Sequence, residues 1–208
     1  IKNICKSDFS EGLLESGADW DGEVIVKSNF NHAGIQEQIY SEILRKPHFD
    51  LYWRVISKVK RIMGREPEFM NPYDYKIFNK IDMVPKHWFN SSNAIVERFV
   101  PEMENDLYHI RMFQVLGDHW ICERLASPYP IVKGGNCVKV EVVDPEDEVF
   151  EWCKELKLDY GKLDYVVSNG KLILIDVNKT IGATGLLNKR ENDKKRKYLS
   201  EGIYSCLK

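Results

Sequence analysis

The chain has 208 residues, of which 43% are hydrophobic and 30% are charged, and its formal net charge is −2. This composition is typical of a globular protein and excludes wholesale disorder, and the near-neutral charge argues against nucleic acid as a partner. No apolar run approaches the roughly 20 residues that span a bilayer, so no membrane partner is expected. The five cysteines are scattered without a CxxC pair, which favours a reducing, cytoplasmic location.

The N-terminal half of the chain predicts strands and one helix. Residues 23–28 form an apolar run rich in β-branched side chains, which is typical of a buried strand. Residues 74–79 and 94–99 predict two further strands. Residues 51–63 place apolar side chains at helical spacing and end before a glycine, so they predict a helix.

The C-terminal half begins with a predicted hairpin and a helix. Residues 107–116 and 119–126 flank a Gly-Asp turn and predict two antiparallel strands. Residues 145–157 predict a helix with Asp144 as N-cap, because Pro145 suits the first helical position and acidic residues follow it. Strands and helices of this kind do not alternate as βαβ units, so they indicate an α+β fold with mainly antiparallel strands.

Two elements close the chain. Residues 163–167 and 172–177 predict strands around Asn169-Gly170. Residues 188–208 predict a charged surface helix whose basic side chains are interspersed with acidic ones. We expect those basic side chains to be solvated and assign them no function.

Several common site motifs are absent from the sequence. It contains no GxxxxGK[ST] phosphate loop, no GxGxxG, no HExxH and no GxSxG. The five histidines show no paired metal-ligand spacing. The chemistry of the chain must therefore be sought in other polar residues.

The last predicted hairpin carries the most informative polar residues. Asp176 and Asn178 are two residues apart on one strand and therefore project from the same face. Asp164 stands alone in another apolar strand, where a carboxylate is costly unless it is paired or holds a cation. Two carboxylates and an amide oxygen suit Mg²⁺, which prefers oxygen ligands. The alternative is a hairpin with an Asp at a strand end, an Asn in a turn and no metal.

The register of this hairpin decides between the two interpretations. A two-residue turn at Asn169-Gly170 would pair Asp164 with Ile175 and place Asp176 on the opposite face. A three-residue loop or a compensating bulge would place Asp164 on the same face as Asp176 and Asn178. The metal interpretation requires one of these two departures from the simple register.

The order of the segments resembles the ATP-grasp superfamily, most closely its RimK-like branch of carboxylate–amine ligases. The resemblance extends from Glu23 to Gly182, and the spacing from Asp164 to Asp176, 12 residues, fits the metal hairpin of that family. The segments that carry it are VIVKSNFNHAG, IVERFVPEME, YHIRMFQVLGDHWICER, KGGN and LDYVVSNGKLILIDVN.

The resemblance implies a set of residues that bind ATP. Lys27 would contact the nucleotide phosphates, and the loop from Asn29 to Gly34 would cover them; a Lys that snorkels from a strand end is the alternative. Glu104, or its rival Glu102, would hold the ribose, although both also fit an exposed acidic turn. The hinge strand that would hold adenine comprises Glu97, Arg98, Phe99 and Val100.

The resemblance also implies a set of catalytic and metal-binding residues. Arg111 and Arg124, on two strands of one hairpin, would face the triphosphate or the acyl phosphate. The alternative is that both are structurally neutral surface arginines, charged but without a role. Lys162 stands where the family often has Arg, and would stabilise a developing oxyanion. The metal ligands would be Asp164, Asp176 and Asn178, with Asp176 where the family usually has Glu. Lys133 and Asn136 are further candidates for phosphate or substrate contact.

Taken together, the resemblance implies an ATP-grasp fold of two α+β lobes, residues 1–100 and 101–208, with Mg-ATP between them. The implied activity is an ATP-dependent ligation of a carboxylate, small or peptidic, to an amine through an acyl phosphate. A nucleotide-binding module with degraded catalysis and an ATP-grasp kinase are the alternatives. A preceding substrate domain is expected to be absent or missing, so an upstream domain or partner chain would complete the site.

Overall fold

The computed structural model describes residues 5–30, 75–181 and 189–207. The chain divides into two compact units, Ile1–Phe99 and Val100–Lys208. The helix that the sequence predicts at residues 51–63 and the loop residues 31–34 lie outside the described residues, as does Gly182.

The first unit contains a three-stranded antiparallel sheet. Its strands are β1 (Val24–Ser28), β2 (Lys76–Phe78) and β3 (Ala94–Arg98), in the order β2-β1-β3. Short 3₁₀ helices occur at Lys6–Asp8, Ile81–Met83 and Lys86–Asn90. One face of the sheet forms a buried core, because alternate residues of β1 and β3 point the same way. This core comprises Val24, Val26, Ile81, Val84, Ala94 and Val96.

An extended segment runs along the outer edge of β3. Leu13 forms an antiparallel bridge with Glu97, and the N–H of Leu14 donates to the carbonyl of Val96 at 2.9 Å. The N–H of Arg98 donates to the carbonyl of Gly12 at 2.8 Å. These bonds satisfy backbone groups that an open strand edge would leave to solvent.

The second unit contains a larger antiparallel sheet. Five strands follow the order β7-β6-β5-β8-β9, and β4 also pairs with β5. Every strand pairing within the described residues is antiparallel, so the predicted α+β class with mainly antiparallel strands is confirmed. The bounds are β4 Glu102–Glu104, β5 Leu107–Leu116, β6 His119–Ser127, β7 Lys139–Val142, β8 Tyr160–Ser168 and β9 Lys171–Asn178.

Helix α1 (Asp147–Glu155) covers one face of this sheet. Phe150 packs edge-on against Phe113, with ring centroids 5.4 Å apart, and Trp152 packs similarly against Tyr165 at 6.0 Å. The helix begins later than predicted: its N-cap is Glu146, whose side chain makes no capping bond.

Helix α2 (Lys189–Glu201) continues into a 3₁₀ helix, Gly202–Leu207, that packs on the turn between β5 and β6. The approach is close enough to require glycine, since a Cβ on Gly202 would lie 1.9 Å from the carbonyl oxygen of Leu116. None of the helices in the described ranges has the length and apolar character needed to cross a bilayer.

Candidate functional site

The hairpin of β8 and β9 combines a tight turn with a bulge. Asn169 and Gly170 form the turn with φ of 51° and 74°, the left-handed conformation that a two-residue hairpin turn requires. The ladder starts in the simple register and pairs Tyr165 with Leu174. The register then shifts by one residue, so that Asp164 pairs with Asp176 and Ile175 is the extra residue of a bulge. The hairpin therefore has the compensating bulge that the metal interpretation requires.

The bulge gathers four polar side chains on one face of the sheet. Asp164 lies opposite Asp176, and Lys162 lies opposite Asn178, so all four project to the same side. We call this side of the sheet the Asp164 face and the other side the Tyr165 face. Without the bulge, Asp176 and Asn178 would point to the Tyr165 face, because a slip of one residue reverses every side chain.

Hydrogen bonds order these four side chains. The ammonium of Lys162 donates to Asp164 Oδ2 at 2.7 Å. The amide nitrogen of Asn178 donates to Asp176 Oδ2 at 3.0 Å, and the N–H of Val177 donates to Asp176 Oδ1 at 3.1 Å. Asn178 uses its amide nitrogen for the bond to Asp176, so its amide oxygen takes no part in that bond.

The pKa of Lys162 is raised above its ordinary value. Burial is the largest influence and lowers this pKa, but the charge and hydrogen bond of Asp164 and the charge of Asp176 together outweigh it. Lys162 is therefore an ammonium that is held by carboxylates, and it neutralises part of their charge.

The residues at this position fit a hard divalent cation. Two carboxylates and an amide oxygen on one face are ligands that Mg²⁺ accepts, with phosphate or water completing its shell. In the described ranges, no group of three or more His, Cys, Asp and Glu side chains is placed to hold a metal ion. A cation here would therefore depend on Asn178 and on oxygens from outside the protein.

The Asp164 face holds a further carboxylate that the sequence analysis missed. Glu123 on β6 is fully buried and lies in one row with Met112, Asp164 and Asp176 on four neighbouring strands. Gln114 donates to Glu123 Oε2 at 3.2 Å, and the ammonium of Lys195 pairs with Glu123 Oε1. The sequence signal for Glu123 is a carboxylate within the mostly apolar segment ICERLA. A carboxylate among apolar strand residues is also the signal that indicates Asp164.

Arg111 and Arg124 lie on the Tyr165 face, opposite to the predicted metal ligands. They are direct cross-strand neighbours, so they share a face as strand alternation predicts. Arg111 also lies opposite Tyr165, the residue next to Asp164, and successive residues of a strand point to opposite sides. The structure therefore brings the two arginines together but separates them from Lys162 and Asp164.

Buried and exposed carboxylates hold both arginines. Glu102 is 6% exposed and accepts from Arg124 Nε at 2.7 Å and from Arg111 Nε at 3.3 Å. Glu104 accepts from Arg124 Nη1 and Glu146 from Arg111 Nη1, both at 2.5 Å. The alternative that these are surface arginines without a structural or functional role is wrong, because each belongs to an ion-pair network and is largely buried.

The same network continues towards α1. The hydroxyl of Tyr165 donates to Glu146 Oε2 at 2.8 Å. Burial is the main cause that raises the pKa of Tyr165, so the hydroxyl stays a donor. Glu146 thus joins Arg111 to Tyr165 and makes no side-chain capping bond, and the prediction of Asp144 as the N-cap of α1 is wrong, because the helix begins at Asp147 with Glu146 at the N-cap.

Glu102 and Glu104, the two candidates for the ribose contact, differ in burial. Glu102 lies in β4, where its Oε2 also accepts the N–H of Val167 at 2.8 Å, so the exposed-turn alternative is wrong for it. Glu104 is exposed at the end of β4, and the turn itself is formed by Asn105 and Asp106, with φ of 50° and 62°. A hydrogen bond from Arg124 and its charge lower the pKa of Glu104.

In the first unit, Lys27 and Glu97 form a buried ion pair. Their exposed fractions are 3% and 7%, and the ammonium of Lys27 contacts Glu97 Oε1. The hydroxyl of Ser10 donates to Glu97 Oε2 at 2.9 Å. The alternative of a snorkelling Lys27 is wrong, because its charge is inside the unit and is neutralised there.

The remaining hinge residues have different surroundings. Arg98 is exposed, and its guanidinium lies 4.8 Å from the centre of a Trp20 ring. Phe99 is half-buried, and its N–H donates to the carbonyl of Glu23 at 2.9 Å. Val100 is half-buried and begins the second unit. The loop from Asn29 to Gly34 that is predicted to cover the phosphates is described only up to Phe30, whose N–H donates to Ser28 Oγ at 3.1 Å.

Asn136 organises the KGGN turn. Its Oδ1 accepts the N–H of Lys133 at 2.8 Å and the hydroxyl of Ser127 at 3.2 Å, and its Nδ2 donates to the carbonyl of Ile131 at 2.9 Å. These bonds give Asn136 a structural role in holding the turn.

No family model and no curated protein matches this chain. Among solved structures, it is similar to a RiPP-associated ATP-grasp ligase from Chryseobacterium gregarium in complex with ADP and a leader and core peptide. The two are 12% identical, with a TM-score of 0.42 over 61% of this chain and 42% of that chain.

Two structures of a D-alanine–D-alanine ligase from Bacillus anthracis are also similar. The complex with ATP is 15% identical, with a TM-score of 0.35 over 62% of this chain and 46% of that chain. The other is 13% identical, with a TM-score of 0.42 over 97% of this chain and 64% of that chain. This chain thus spans 42 to 64% of the length of these structures. At such similarity, what those proteins bind or join says nothing about this chain.

Proposed function

We propose that this chain is the ATP-grasp portion of an ATP-dependent ligase, of the RimK-like kind, that joins a carboxylate to an amine. The observation that carries the proposal is the bulge at Ile175, which puts Asp164, Asp176 and Asn178 on one face. Bulges bend a strand and re-aim its side chains, and they are over-represented next to active sites as well as at sheet edges. Two neighbouring carboxylates repel each other, and a bound cation would offset this repulsion.

In the proposed reaction, a substrate carboxylate oxygen attacks the γ-phosphorus of ATP, and the bond to the β-phosphate oxygen breaks to release ADP. The amine then attacks the acyl carbon, phosphate leaves, and the amine nitrogen gives up a proton to water. Both steps need charge neutralisation and positioning more than a protein nucleophile. Bound at Asp164, Asp176 and Asn178, Mg²⁺ would supply neutralisation of phosphate charge.

The chain's own residues have defined tasks in this proposal. Lys162, held over Asp164, presents a positive charge to the phosphates from the same face. Lys27 would exchange its partner Glu97 for the nucleotide phosphates, and adenine would lie against the predicted hinge from Glu97 to Val100, where the N–H groups of Arg98 and Phe99 already donate to the carbonyls of Gly12 and Glu23. Glu104 or Glu102 binds the ribose hydroxyls.

Two measurements test the proposal. The first is calorimetric binding of a non-hydrolysable ATP analogue with Mg²⁺ and again with a chelator. The second is ADP release on a panel of amino-acid and dipeptide carboxylates and amines. We expect Asp176→Ala to lose Mg²⁺-dependent binding and turnover while its unfolding transition remains cooperative. Glu155→Ala, an exposed carboxylate on α1, is the matched control and keeps both. Full activity of Asp176→Ala would refute the proposal.

A nucleotide-binding module without turnover is the second candidate. The position of Arg111 and Arg124 on the Tyr165 face favours it, because two predicted catalytic charges are engaged by Glu102 and lie away from Asp164. Binding of the analogue without ADP release on the whole panel would support the module. Mass spectrometry of the products separates a ligase, which forms an amide, from a kinase, which phosphorylates a hydroxyl.

A further inference from the structure

Helix α2 turns a single basic side chain towards the sheet. Its residues are exposed except at Asn192, Lys195 and Leu199, which are spaced as one face of a helix. The sequence indicates a solvated basic tail, and this holds for the neighbouring Lys194 but not for Lys195, whose side chain is 21% exposed. Lys195 therefore has a place in the packed structure that its basic neighbours in α2 do not have.

The inward side chain reaches the face that carries the proposed metal ligands. The ammonium of Lys195 pairs with Glu123, which is fully buried and whose other oxygen accepts from Gln114. Glu123 projects from the Asp164 face, two strands away from Asp164 across Met112. Two strand spacings amount to about 10 Å. The ammonium groups of Lys162, on β8, and of Lys195, on α2, thus bind carboxylates that project from the same face of the sheet.

The charges on this face differ from those that the family resemblance implies. The phosphate chain of ATP needs several cations, yet Arg111 and Arg124 lie on the opposite face and are held by Glu102. Lys195 lies on the side where the predicted metal ligands are. A Lys ammonium has three donors, so its pairing with Glu123 is compatible with a further bond to an anion.

We propose that Lys195 is a phosphate-binding residue of this site and that Glu123 is the positioning residue that holds its ammonium over the Asp164 face. This inference rests on the proposed function, because the anion is the polyphosphate of ATP or the phosphate that leaves it. Together with Lys162, Lys195 takes the task that the family resemblance implies for Arg111 and Arg124.

The test compares binding of inorganic triphosphate with Mg²⁺ and binding of adenosine, both by calorimetry on the full chain. We expect Lys195→Met to weaken triphosphate binding at least tenfold and to leave adenosine binding within twofold. Lys195→Arg keeps the charge and should restore triphosphate binding to within threefold. Lys194→Met, an exposed neighbour on the same helix, is the matched control and should change neither ligand.

A neutral pair guards against a variant that fails to fold. Glu123→Gln with Lys195→Met removes both buried charges, so neither is left uncompensated, and it should also lose triphosphate binding. On the unmodified chain, Mg²⁺ and triphosphate should slow acetylation of Lys195 at least fivefold without affecting Lys194.

The outcomes separate the two proposals. Triphosphate binding within twofold of the unmodified chain in Lys195→Met and in the double variant would overturn the role of Lys195 and leave the proposed function standing. If the unmodified chain binds neither the ATP analogue nor triphosphate, the proposed function is overturned, and this inference is overturned with it.

Discussion

Asp164 and Asp176 are direct cross-strand partners on β8 and β9, although the tight turn that joins these strands would by itself set them on opposite faces. They meet because the register of the two strands shifts by one residue at Ile175. The position of the two carboxylates thus depends on this shift of register.

Deletions in β9 test this dependence. Removal of Ile175 alone would leave an unbroken two-residue register that still pairs Asp164 with Asp176, so we expect this variant to retain Mg²⁺-dependent binding of an ATP analogue, measured by calorimetry. Removal of both Leu174 and Ile175 would instead place Asp176 opposite Tyr165, on the Tyr165 face, and should abolish that binding. Ile175→Val keeps the bulge, should cost only about 0.5–1.5 kcal/mol in the free energy of unfolding, and should retain binding. Retained binding in the double deletion would contradict the role of this register.

Replacement of Glu102 tests the network around the arginines. Glu102 is buried, pairs with Arg111 and Arg124, and accepts the N–H of Val167. Its loss leaves two largely buried guanidinium groups short of a partner, so Glu102→Ala should lower the free energy of unfolding by about 3–5 kcal/mol. Urea denaturation measures this change. Glu104→Ala removes an exposed partner of Arg124 and should lower the free energy of unfolding much less than Glu102→Ala does. Equal effects of the two substitutions would refute the distinction.

The pH dependence of stability should report the pair of Glu104 and Arg124. The hydrogen bond and charge of Arg124 lower the pKa of Glu104 below its ordinary value of 4.5. A carboxyl whose folded-state pKa is depressed stabilises the protein above its unfolded-state pKa, and this contribution is lost as the pH falls through the folded-state pKa. The stability difference between the unmodified chain and Glu104→Gln should therefore be constant above pH 4.5 and shrink below it. Urea titrations across this range measure it, and a difference that grows in acid would contradict the assignment.

Thiol labelling should distinguish the cysteines by burial. Burial is the largest cause that raises the pKa of Cys122 and of Cys153, in each case to about 11, so both thiols stay protonated at neutral pH. Cys122 is buried, Cys153 is half-buried and Cys206 is exposed. We expect an alkylating reagent to modify Cys206 first, Cys153 more slowly, and Cys122 only after unfolding, as measured by peptide mass spectrometry. Cys206→Ser is the control and removes the fast phase. Fast labelling of Cys122 in the folded chain would show that this part of the sheet opens.

Local sequence patterns were sufficient to predict much of the second unit. The hairpin of β5 and β6 was predicted within one residue, because apolar strands flank a turn with glycine at positive φ. The short strand β4 was missed, since EME in an acidic segment has the composition of a turn. Its Glu102 is buried only because Arg111 and Arg124, contributed by other strands, neutralise it.

The amino-acid sequence by itself determined the antiparallel α+β class, the turn at Asn169-Gly170, and the polar residues worth testing, because each depends on neighbours a few positions apart. The assembled sheet decided which of those residues meet. A strand presents alternate residues to opposite sides, so the register shift at Ile175 brought Asp176 opposite Asp164, while Arg111 and Arg124 were directed to the other face. The pairing of Lys195 with Glu123 joins residues 72 positions apart, and only the packing of α2 on the sheet brings such charges into contact.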